Sequence, residues 1–105
     1  ISNPSLSSLM NVNFTRVEGE REDHEVVLLT LSTCGHCNEA KNLLRNLRIA
    51  FEYIDVDRSS REEKREITQF LRVRNLPLSF PVIIIDEDII SGYREREIWS
   101  TLRKD

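Results

Sequence analysis

Val26-Val27-Leu28-Leu29-Thr30-Leu31-Ser32-Thr33-Cys34-Gly35-His36-Cys37 is the stretch on which the reading of this chain turns. Its first half is a continuous β-branched and leucine run, the pattern of a strand buried on both faces. Beyond Cys37 the period changes. Ala40, Leu43, Leu44 and Leu47 fall at i, i+3, i+4 and i+7 on one helical face, with Glu39, Lys41, Asn42, Arg45 and Asn46 on the other. Cys34 and Cys37 therefore stand where a buried strand hands over to a helix.

Working outward, Phe51 to Asp57 reads as a second strand, with Phe51 and Tyr53 packing on the sheet face. Ser60 and Glu63 have the capping-box spacing that opens a second helix, whose apolar face is Ile67, Phe70 and Leu71. The charged run from Arg61 to Glu66 is its solvated side. Pro77 and Pro81 bracket a loop, and Val82-Ile83-Ile84-Ile85 follows as a third buried strand. Asp86-Glu87-Asp88 makes a turn, Ile89-Ile90-Ser91 a short fourth strand, and Gly92 breaks it. Ile98, Trp99 and Leu102 have helical spacing, with Trp99 expected as the core anchor. The order is β-α-β-α-β-β-α. A strand–helix–strand unit requires a crossover and a parallel pair, and the tight last turn requires an antiparallel hairpin. The expectation is an α/β domain over 25–105, a four-stranded mixed sheet flanked by helices. Residues 1–24 form a polar N-terminal extension, in which Val12, Phe14 and Arg16 alternate as a short edge strand would. The sequence opens on Ile1, so Met10 is the expected native start and 1–9 are set aside from the fold.

The 105 residues carry 15 Lys and Arg against 18 Asp and Glu, a net charge of −3. That balance argues against nucleic acid or an anionic membrane as a partner. The apolar runs fall far short of the ~20 residues that cross a bilayer. No secretory signal is visible at the start of the sequence. The expectation is a soluble, cytoplasmic monomer.

Backbone N–H groups at a helix start favour negative charge, and the thiolate is the reactive form of cysteine. Cys34 is thus the expected nucleophile. Cys37, one turn on and shielded, is the resolving thiol that breaks a mixed disulfide from inside. His36 adds a potential positive charge beside Cys34, which favours the dithiol and makes the disulfide a stronger oxidant. The competing reading is a binding module whose cysteines are structural or hold metal. A closed zinc site needs four ligands; besides the cysteines only His24 and His36 remain, and His36 sits inside the C-x-x-C itself, so no metal is assigned. Pro81 opens a strand either as an ordinary trans residue closing a loop or through a cis Phe80–Pro81 bend. In the cis case the Phe80 backbone could pair with an extended substrate. Asp55 and Asp57 have no His or Cys at ligand spacing and are assigned no catalysis.

Cys34-Gly35-His36-Cys37 after a strand, Ser79-Phe80-Pro81 before a strand and Ser91-Gly92-Tyr93 before a last helix together resemble the glutaredoxin branch of the thioredoxin fold. The resemblance implies thiol–disulfide oxidoreductase activity through a redox-active Cys34–Cys37 disulfide, with no tightly bound cofactor. It also implies a cis Pro81 facing the cysteines and substrate held across Thr33, Phe80 and Gly92. Gly35 and His36 help to shape that groove, and Tyr93 covers it. The implied partners are disulfide-containing proteins and an electron donor. Leu31 stands where glutaredoxins usually carry a lysine for glutathione's carboxylate, and Ser91, Tyr93, Arg94 and Glu95 depart from the usual pattern around Gly92. Thr33 and Leu28 stand where thioredoxins have Trp and a buried Asp. These departures favour a flavin- or ferredoxin-dependent disulfide reductase over glutathione as donor.

Overall fold

The computed structural model describes residues 9–104, and residues 1–8 of the set-aside terminal stretch lie outside them. Among the described residues, five strands and three helices follow one another as β1 (Thr15–Val17), β2 (Val26–Thr30), α1 (Gly35–Asn46), β3 (Phe51–Asp55), α2 (Arg61–Val73), β4 (Val82–Ile85), β5 (Asp88–Ser91) and α3 (Glu95–Leu102), with a 3-10 turn (Val56–Arg58) after β3. The sheet order is β1-β3-β2-β4-β5. β2 runs parallel to β3 and antiparallel to β4, as the crossover and hairpin arguments require.

The sheet has five strands rather than four. Thr15, Arg16 and Val17 pair antiparallel with Tyr53, Glu52 and Phe51, so the N-terminal extension supplies an edge. Leu9, set aside with the terminus, is buried in the core together with Val12. After β1, Gly19 lets the extension pass close against the entry to β3: a side chain there would meet the Ala50 backbone nitrogen at 2.5 Å. The neighbouring Arg21 instead exchanges backbone hydrogen bonds with Arg48 and Ala50.

Alternate residues of β2 divide between two cores. Val27 and Leu29 pack with Ile67, Phe70 and Leu71 of α2, while Val26 and Leu28 pack with Ala40 and Leu44 of α1 and Ile98 of α3. Hence α1 and α3 cover one face and α2 the other. The anchor of α3 is Ile98, 1% exposed. Trp99 is only half-buried and lies beneath the Arg103 guanidinium, because its helical position points to the rim of the face that Ile98 fills.

Local chemistry sets the helix ends. Ser60 Oγ accepts from Glu63 N–H at 3.1 Å, and Glu63 Oε1 accepts from Ser60 N–H at 2.8 Å, completing the capping box. α1 and α2 both stop in left-handed turns, at Arg48 and Asn75, where Ile49 N–H returns to Leu44 and Leu76 N–H to Leu71.

Candidate active site

Cys34 is the N-cap of α1, with extended backbone, and its sulfur accepts the Cys37 N–H at 3.2 Å. A polar atom at this position satisfies one of the orphan amides of the first turn. Cys34 is partly exposed and Cys37 fully buried, and both are free thiols. Burial pushes the Cys37 thiol up to about 12, helped by its hydrogen bond with Cys34 and opposed by a backbone hydrogen bond with Leu31 and by the Lys41 charge. One cysteine thus faces solvent on a helix end while the other holds its proton in the core.

The loop that delivers Cys34 is pinned from β3's side. Asp57, in the 3-10 turn, accepts the Ser32 N–H at 2.9 Å and also a short hydrogen bond from the Ser32 hydroxyl. Those Ser32 contacts, the hydroxyl first, hold the Asp57 carboxyl below its usual range. Asp57 therefore has a positioning part that its spacing did not signal: its partner lies 25 residues away, across the parallel crossover.

The register of β2 with β4 ends at Leu29 opposite Val82, so Pro81 lies at the sheet end from which the Cys34 loop departs. The Phe80–Pro81 bond is cis, as the resemblance implies. Pro81 is buried, and its carbonyl accepts the Gly92 N–H at 2.8 Å. Gly92 has φ +88°, a conformation that side chains rarely adopt. Its neighbour Tyr93 stacks on His36, with ring centroids 6.3 Å apart and planes 18° apart. Pro81, Gly92, Tyr93, His36 and the cysteines are thus joined in one chain of contacts.

Other expected residues are placed differently. The His36 side chain is 71% exposed and its Nδ1 lies 3.5 Å from Glu39 Oε1, so a carboxylate balances any charge it carries. Thr33 and Gly35 are exposed, and Gly35 has open space where a side chain would project. The Phe80 side chain packs against the α2-side core. Among the described residues no group of three or more His, Cys, Asp and Glu is placed to hold a metal ion.

Lys41 is the largest departure from the sequence reading. Placed on the solvated face of the helix, it is instead 8% exposed and belongs to the buried face with Cys37, Ala40 and Leu44. Its Nζ lies 3.5 Å from Asp55 Oδ1 and 4.0 Å from the centre of the Tyr53 ring. Asp55 Oδ1 also accepts from the Thr30 hydroxyl at 2.7 Å. A buried ammonium needs such partners, and a helical period gives no sign of them.

Residues 26–90 match the family model described as Glutaredoxin. The chain is similar to Glutaredoxin 1 of Rickettsia conorii, 32% identical over 69 residues that cover 66% of this chain and only 65% of that curated relative's length. It resembles the crystal structure of the glutaredoxin from Methanosarcina mazei Go1, with a TM-score of 0.77 and 37% identity over 87% of this chain and 88% of that one. Methanoredoxin of Methanosarcina acetivorans gives a TM-score of 0.67 and 36% identity over 79% of this chain and 88% of its own. With more than half of its length in the family model, and with that cysteine pair at the mouth of α1, the chain belongs to the glutaredoxin family.

Proposed function

We propose that the protein is a thiol–disulfide oxidoreductase that exchanges a Cys34–Cys37 dithiol with the disulfides of proteins or small molecules. The observation that carries this reading is the inequality of the two sulfurs: Cys34 Sγ caps α1 and is partly exposed, while Cys37 is buried beneath it. An N-cap sulfur that accepts an amide hydrogen is suited to act as an anion. Cys34 attacks a substrate disulfide, one substrate thiol leaves, and a mixed disulfide forms. Cys37 then loses its proton and attacks Cys34 Sγ. The Cys34–substrate bond breaks, the second thiol leaves with the electron pair, and the Cys34–Cys37 disulfide is left oxidised. Thr33, Gly35, His36, the Phe80 backbone, Pro81, Gly92 and Tyr93 border the groove that receives the substrate.

Leu31 supplies no cation where a glutathione carboxylate would lie, which favours a flavin- or ferredoxin-dependent disulfide reductase over glutathione as donor. On this reading the protein is a monomer in the cytoplasm, with a charge balance that suits neither nucleic acid nor an anionic surface as partner. Turnover of a model disulfide with each donor tests the proposal. Activity with a reductase, lost in Cys34→Ser, is expected. No turnover with any donor, or full turnover in Cys34→Ser, contradicts it.

A further inference from the structure

The buried Lys41 has no part in the exchange described so far, and its surroundings are unusual for a lysine. It follows Cys37 by four residues, so the two side chains are neighbours on the buried face of α1. β3 supplies what holds it there: the Asp55 carboxylate at 3.5 Å and the face of the Tyr53 ring at 4.0 Å. Asp55 is itself fixed by the Thr30 hydroxyl and stands opposite Thr30 in the β2–β3 register. The ammonium is therefore anchored on the buried face of α1, one turn beyond Cys37.

We propose that Lys41 is a positioning residue for the resolving step, its fixed ammonium favouring the charge that Cys37 carries as it attacks. The inference rests on the assignment of Cys34 as nucleophile and Cys37 as resolving thiol. In that step the Cys37 proton leaves to water, the Cys37–Cys34 bond forms, and the Cys34–substrate bond breaks. For a moment a full negative charge lies in the core, where an unpaired charge is costly. The titratable groups around it are Cys34 and Lys41 on its own segment, with Asp55 and Tyr53 of β3 flanking Lys41. The Lys41 charge acts on the Cys37 sulfur in the required sense, drawing its thiol down against burial. Asp55 tempers that field, so the two partners have opposite influence on Cys37.

The reaction of the full chain with 5,5′-dithiobis(2-nitrobenzoate) separates the steps. The first thionitrobenzoate released reports attack by Cys34, and the second reports resolution by Cys37. Lys41→Met should leave the first release unchanged, slow the second about tenfold at neutral pH, and move its pH midpoint up by about one unit. Lys41→Arg, which keeps the charge, should recover most of the rate. Asp55→Asn should move the midpoint the other way and speed the second release. A second release insensitive to Lys41→Met, or Lys41→Met and Asp55→Asn variants shifted in the same direction, would overturn the proposal. A first release that survives Cys34→Ser would instead overturn the assignment of the two thiols.

Discussion

The two ends of the central strand β2 are built on opposite plans. At its start, His24 Nδ1 lies 2.6 Å from Asp86 Oδ2 and Nε2 lies 2.9 Å from the Leu102 carbonyl. Glu25 donates to Asp86 Oδ1 at 2.9 Å and accepts from the Asp86 N–H at 2.8 Å. The entry to β2, the β4–β5 turn and the end of α3 thus form one hydrogen-bonded clasp. At the other end the polypeptide is pinned from behind, by Asp57 on Ser32 and by Pro81 on Gly92, while Thr33, Gly35 and His36 lie exposed. The closed end ties three elements together, and the open end leaves the residues on either side of Cys34 to solvent. Reactive groups are commonly carried in this way, on loops projecting from a fixed scaffold.

The comparison can be broken in its middle. Leu28 is fully buried halfway along β2. Leu28→Ala should cost about 2–5 kcal/mol in urea melts, as large-to-small core substitutions do, yet leave the thiol-exchange rate of the folded protein unchanged. Lost exchange at full stability would mean that the two ends are not separable.

The clasp gives a smaller effect with a definite sign in pH. The hydrogen bond to Asp86 raises His24 above its usual 6.5, against the opposing effect of burial. Burial alone would raise Asp86, but the hydrogen bonds from His24 and Glu25 outweigh it and hold Asp86 below its usual 3.8. His24's contribution is therefore full below pH 6.5 and fades as pH rises through its folded value. That of Asp86 is full above pH 3.8 and fades as pH falls through its own. With Asp86 half-exposed, screening limits the pair to about 1 kcal/mol. His24→Gln should lower thermal stability most between those two pH values, and the gap should narrow in alkali. A gap that widened in alkali would contradict this account of the clasp.

What the sequence disclosed and what it hid follow the range of the interactions. The strand 26–30, the Ser60–Glu63 cap and the cysteine pair at the head of α1 rest on neighbours in the chain, and local pattern revealed them. β1 is half-visible: the alternation of Val12, Phe14 and Arg16 signals an edge strand, but its bounds, Thr15–Val17, are set by pairing with β3. Lys41 has the residue type of a solvated position although its spacing from Cys37, Ala40 and Leu44 puts it on the buried face, and only Asp55 and Tyr53, brought over by the crossover, show how an ammonium is held there. His24 meets partners 62 and 78 residues away, a relation that no spacing rule encodes. The same limit applied at the site: Pro81 and Gly92 were legible, but the stacking of Tyr93 on His36 was not.

The central claim is the inequality of Cys34 and Cys37, and site-resolved alkylation tests it most directly. The native reduced protein would be labelled with iodoacetamide from about pH 6 to about pH 9, with each cysteine quantified by peptide mass spectrometry. The account predicts that Cys34 is modified across this range while Cys37 stays unmodified until the protein unfolds. Equal labelling of the two, or preferential labelling of Cys37, would contradict it.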